Sequence, residues 1–196
     1  MTLDSLLEQL KHPNPNLQNR AMWQIAEERS DETIPRLMSI LGEEDVTYRR
    51  AAVKALGVIG VDAVPALVEL LLNSEDATVR SSCAKGLAQI IVNHPDVPFP
   101  TEGIEGLRKA INDPNPVVHI ASVMALGEVG APAFDILVEA LKTTDNLAVG
   151  VATINAIGSS GDKRGLQVLR ELAEDASVDT YIRESANSAL SRLEMV

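Results

Sequence analysis

One cysteine, Cys83, stands in 196 residues, which excludes an internal disulfide framework or a cysteine-rich metal site and fits a reducing compartment. Aromatic residues make up only 3% of the chain, so its core must come from close packing of Ala, Val, Leu and Ile, as in stacked helices. Basic charge is short. With 17 Lys and Arg against 28 Asp and Glu, the net charge is −11, which repels polyanions; neither nucleic acid nor an anionic membrane is expected as a partner, whereas a basic or amphipathic protein is. No apolar run approaches the ~18 residues that span a bilayer, and Met1-Thr2-Leu3-Asp4 lacks the basic and long apolar regions of a secretory signal. A cytoplasmic protein is expected.

What the chain does have is a repeat. An apolar helix, a short loop with Asp or Asn, and a second helix that opens apolar-then-basic recur down its length. With the basic position as reference, the six occupants are Gln18, Arg49, Arg80, His119, Gly150 and Arg183, separated by 31, 31, 39, 31 and 33 residues. One residue earlier lie Leu17, Tyr48, Val79, Val118, Val149 and Ile182. Three later lie Ala21, Ala52, Cys83, Ser122, Thr153 and Ala186, all small, and seven later Ile25, Leu56, Leu87, Leu126, Ile157 and Leu190. Offsets −1, +3 and +7 trace one helical face, which predicts a buried stripe whose small column lets neighbouring helices approach.

Four residues before the reference stand Asn14, Asp45, Asp76, Asn115, Asn146 and Asp179, each a helix cap. Together with the reference column they predict a structural ladder between repeats: Asp45, Arg49, Asp76, Arg80, Asn115, His119, Asp179 and Arg183, in which Arg pairs across to a neighbour. Gly57 and Gly60, Gly127 and Gly130, and Gly158 and Gly161 are expected to end second helices, while Pro35 and Pro65 suit the openings of first ones. The fold class is all-α: a right-handed α-solenoid of about six helical-hairpin repeats. It is expected as one domain over 1–196, with repeats near 1–30, 31–61, 62–92, 101–131, 132–162 and 163–196 and a proline-rich insertion at 93–100. The departures in the first and sixth repeats, Gln24-Ile25 and Ser191-Arg192, suit capping repeats.

The strings Tyr48-Arg49-Arg50-Ala51-Ala52-Val53-Lys54-Ala55-Leu56-Gly57 and Val123-Met124-Ala125-Leu126-Gly127-Glu128-Val129-Gly130 resemble the short HEAT repeats of the phycobilisome-lyase type. That resemblance covers nearly the whole chain and implies a photosynthetic, cyanobacterial source. It also implies proteins that help attach open-chain tetrapyrroles to antenna phycobiliproteins, often as two-chain assemblies. The same repeat class includes scaffolds and a hydroxylase whose His-Glu pairs bind a di-iron centre. Here His119 is followed by Ile120, and His12 and His94 each precede a proline, so no metal site is expected. Cys83 sits in the small core column and reads as a buried structural thiol. No phosphate loop or nucleophile elbow is visible, and no catalytic residues are expected.

The outward positions of the second helices, +1 and +5, are expected to line a concave face. They read Asn19 and Trp23, Arg50 and Lys54, Ser81 and Lys85, Ile120 and Met124, Val151 and Asn155, then Glu184 and Ser188. A basic cluster thus adjoins an apolar one, and Trp23, Arg50, Lys54, Lys85, Ile120, Met124, Val151 and Asn155 are the candidate partner- or ligand-binding residues. Phe99 on the insertion packs as a lid or reaches a partner. Function ranks first as a non-catalytic adaptor or assembly factor for another protein. The alternative is a phycobilin lyase subunit or bilin-binding chaperone, with the bilin as its only cofactor and a phycobiliprotein or second HEAT chain as partner. Under it, Arg50, Lys54 and Lys85 pair with the propionates while Ile120 and Met124 cover the rings. A further alternative is an accessory to iron–sulfur or other cofactor delivery.

Overall fold

The structure, a computed structural model, describes residues 1–195, and among these every regular element is helical. Contacts divide the chain into two compact units, one over Met1–Gly106 and one from Leu107 onward. The first holds α1 (Leu3–Gln9), α2 (Pro15–Glu27), α3 (Thr33–Ser39), α4 (Val46–Ile59), a 3-10 turn at Val61–Ala63, α5 (Val64–Asn73), α6 (Ala77–Asn93) and the start of α7 (Thr101–Ala110). The second holds the rest of α7, then α8 (Pro116–Val129), a 3-10 turn at Ala131–Ala133, α9 (Phe134–Thr143), α10 (Leu147–Ser159), α11 (Arg164–Glu174) and α12 (Thr180–Leu193).

The starts of the even-numbered helices are set locally. Asn14, Asp45, Asp76, Asn115, Asn146 and Asp179 stand at the N-caps of α2, α4, α6, α8, α10 and α12, and every one accepts a first-turn backbone N–H on its side chain. Pro15 and Pro116 open α2 and α8, where the missing N–H costs nothing. The even helices then stack: α4 packs on both α2 and α6, and α10 on both α8 and α12.

The small column is what permits this. Ala21, Ala52, Cys83, Ser122, Thr153 and Ala186 are all completely buried. Ser122 and Thr153 satisfy their hydroxyls by donating to the carbonyls of Val118 (2.9 Å) and Val149 (2.8 Å), four residues back on their own helices. At +7, Ile25, Leu56, Leu87, Leu126 and Ile157 are buried and Leu190 is half-buried.

In the −1 column Val118 and Val149 are buried, as the expected stripe requires, whereas Tyr48, Val79 and Ile182 are half-buried and reach back to the preceding repeat. Tyr48 lies under the Lys11 ammonium, 4.8 Å from ring centre to nitrogen, while Val79 packs over Gly42 and Ile182 over Gly150. Leu17 is 41% exposed.

The paired glycines also divide their work. Gly60, Gly130 and Gly161 have φ of 89°, 76° and 70°, so they end or follow their helices in the left-handed region as expected. Gly57, Gly127 and Gly158 lie inside the helices instead. A Cβ on Gly57 would sit 2.5 Å from Gln89 Cβ, one on Gly127 2.9 Å from Ala156 Cβ, and one on Gly158 2.8 Å from Ala189 Cβ, so these three are points where consecutive even helices touch.

Residues 94–100 carry no helix, in keeping with the three prolines. His94 Nε2 lies 3.1 Å from Gly57 O and 3.2 Å from Val58 O, clipping the segment to the end of α4. Phe99, half-buried, packs over Gly103 on α7 within its own unit. Among the described residues no single helix is long and apolar enough to cross a membrane.

Candidate functional site

In the first unit the outward face of α2, α4 and α6 carries Trp23, Arg50, Lys54 and Lys85, all exposed, with Trp23 at 59%. Trp23, Lys54 and Lys85 hold the same offset on three successive stacked helices, so they form a row whose rungs are spaced by roughly 8–10 Å. Arg50 stands beside the row. Arg50, Lys54 and Lys85 make no ion pair among the described residues, although acids outnumber bases in the chain. Burial first, then the neighbouring positive charges of Arg49 and Arg50, hold the Lys85 ammonium below its ordinary range. The cluster is positive charge with no acidic side chain paired to it among the described residues. Ser81, expected to face outward here, is buried instead and donates to Thr78 O at 3.1 Å.

The second unit is different in kind. α10 has no charged residue along its whole length, and α8 has only Glu128 besides His119. Met124, Val151 and Asn155 come together along an open groove of about 310 Å³ between these helices, whose remaining lining is mostly Gly and Ala plus Glu128. Met124 is 59% exposed and Val151 half-buried. Ile120 is half-buried and lies outside the groove lining. Asn155 Oδ1 is already engaged: Arg192 Nη2 on α12 donates to it at 2.6 Å, a contact that sequence offsets within one helix do not reveal.

Members of the reference column bond to the backbone of their own repeat. Gln18 Nε2 donates to Leu10 O at 2.7 Å, Arg49 Nη1 to Glu43 O, and Arg80 Nη1 to Ser74 O at 2.9 Å and Glu75 O at 3.0 Å. Each thus covers carbonyls at the preceding helix's C-cap or in the loop that follows it. Arg183 donates to Thr180 Oγ1 at 3.2 Å on its own helix. His119 is half-buried, held below its ordinary pKa mainly by burial although Asp113 opposes the shift, and its Nε2 is buried without a hydrogen-bond partner.

Cys83 is fully buried, and loss of hydration pushes its thiol up to about 12, which keeps it protonated and unreactive near neutrality. Among the described residues no three His, Cys, Asp or Glu side chains converge as metal ligands. What the arrangement offers chemically is a cationic row and an apolar groove, with the Cys83 thiol closed off from reaction.

These stacked helix pairs define the class. The chain matches the HEAT repeats family over residues 3–88 and 104–191 and belongs to it. It is 57% identical over all 196 residues, and over 97% of the relative, to an uncharacterized phycocyanin operon protein Z of Pseudanabaena tenuis (strain PCC 7409). It is 30% identical to the bilin biosynthesis protein CpeZ of Synechococcus sp. (strain WH8020), over 86% of this chain and 93% of that one. Among solved structures, the complex of CpcE and CpcF of phycocyanin lyase from Nostoc sp. PCC7120 shares the fold, with a TM-score of 0.54 at 18% identity over 79% of this chain and 96% of that one.

Proposed function

We propose that this protein handles a bilin: it holds an open-chain tetrapyrrole without bonding to it and presents it, together with a protein partner, to the cysteine of a phycobiliprotein in the cytoplasm. Sequence alone ranks a general adaptor first. The relatives favour the bilin reading over it, since one carries bilin biosynthesis in its name and another belongs to a phycocyanin operon.

The observation that carries the reading is the unpaired cluster of Arg50, Lys54 and Lys85. A bilin is a flexible apolar chain of rings with two propionates, and such a cluster matches the propionates. Charge-assisted hydrogen bonds of this kind contribute roughly 1.5–3 kcal/mol each. Trp23, in the same row, is placed to lie against a ring. The nucleophile belongs to the acceptor, because the Cys83 thiol is neutral and enclosed. This chain's contribution is then positioning, which brings two large reactants into one geometry.

Trp23 is the only tryptophan, so its fluorescence reports on this face alone. Titration with phycocyanobilin is expected to quench it saturably, and the double variant Arg50→Glu/Lys54→Glu to bind at least tenfold more weakly. Equal affinity of the variant and the parent would remove the cluster from the bilin site.

A further inference from the structure

The groove between α8 and α10 answers to a different ligand from the cationic row. From Ala148 to Ser159 it follows α10 for about 16 Å at 1.5 Å per residue, three helical turns. Its floor is low: Gly127 and Ala156 bring the two helices into direct contact, and Ala148 and Ala152 leave no long side chain standing in it. One exposed thioether, Met124, stands on its edge. Glu128 is the single charged residue in the lining, and it makes no ion pair among the described residues. The nearby Arg192 guanidinium is held by Asn155 Oδ1 and by Ser188 Oγ at 3.3 Å.

A bilin is a poor match, since its propionates would meet the Glu128 carboxylate. At about 310 Å³ the opening also lies at the low end of the ~300–1,000 Å³ usual for small-molecule sites. Length, apolar floor and one uncompensated acid match the apolar face of a helix. We infer that the α8–α10 groove docks a three-turn amphipathic helix of a partner protein, with apolar side chains at i, i+3, i+4 and i+7 and a Lys or Arg at its edge to meet Glu128. This rests on the protein-partner half of the proposed function and is independent of its bilin half. Apolar contact supplies most of the affinity, while the edge charge sets orientation and partner choice.

The probe is a fluorescein-labelled, 14-residue helical peptide with Leu at that spacing and one edge Lys, compared with a twin carrying Glu instead, read by fluorescence anisotropy without bilin. The Lys peptide is expected to bind at least tenfold more tightly than the Glu twin. Glu128→Lys is expected to reverse that order, and Met124→Glu to weaken both peptides at least tenfold. Both positions are exposed, and circular dichroism verifies that the variants fold. Absence of binding by the Lys peptide, equal binding of the two peptides, or unchanged binding in Met124→Glu would overturn the inference. So would displacement of the peptide by saturating phycocyanobilin, which assigns the groove to the tetrapyrrole, or a homodimer that Met124→Glu dissolves, which assigns it to a second copy.

Discussion

A carboxamide or carboxylate four residues before each reference position is enough to start a helix, and this chain does so six times. These caps are legible in the sequence because a cap bonds within three residues of itself. Asn146 accepts from both Ala148 N and Val149 N, so Asn146→Ala is expected to cost about 1 kcal/mol. For a chain of this length that lowers the melting temperature by roughly 2–4 °C, as calorimetry would show. Cys83 was equally legible, because a small column at helical spacing can face only the core. Its thiol should ignore an aromatic disulfide reagent in the folded protein and react in urea. The folded thiol stays neutral up to about pH 12 whereas the unfolded one ionises from 9.0, so unfolding releases a proton between those values. The stability from this group is therefore complete below pH 9 and is lost as pH rises towards 12. Urea denaturation at several pH values should show Cys83→Ala to be less sensitive to alkali than the parent over that window.

Between elements, sequence reasoning saw the glycines but not their division of work. The +11 glycines end or follow helices, a local property of φ, and local pattern finds them. The +8 glycines mark where one even helix crosses the next, and crossing distance depends on residues about thirty positions away. Gly158→Ala would push a methyl against Ala189 Cβ, with the Ala189 Cα and carbonyl oxygen both 3.1 Å away. Backbone cannot step aside cheaply, so a loss of about 1–3 kcal/mol is expected, with part of it recovered by Ala189→Gly in the same chain. A neutral Gly158→Ala in chemical denaturation would mean that α10 and α12 are not held so closely. The −1 column behaves likewise: Val118 and Val149 are buried and Leu17 is exposed at one and the same offset, so burial there depends on neighbours outside the helix.

Across the molecule, helix pairing was readable because every repeat restates it, whereas the candidate site was readable only in part. The cationic row emerged from offsets that hold on stacked helices, and so did the meeting of Met124 with Val151. Ser81 failed as an outward residue, and Asn155 turned out to be engaged by Arg192, since both outcomes depend on neighbours outside the helix that carries them. The remaining gap is chemical: a repeat pattern encodes stacking, and its ligand is written only in side chains that interrupt the pattern. The central claim, that this chain holds a bilin without becoming its covalent carrier, is tested most directly by one spectrum taken twice. Phycocyanobilin is mixed with the protein, and visible absorbance and intact mass are recorded before and after acid–urea denaturation. The expected result is a saturable spectral change in the native state that vanishes on denaturation and leaves the chain at its unmodified 21.0 kDa. No spectral change, or a chain whose mass has risen by one bilin, would contradict it.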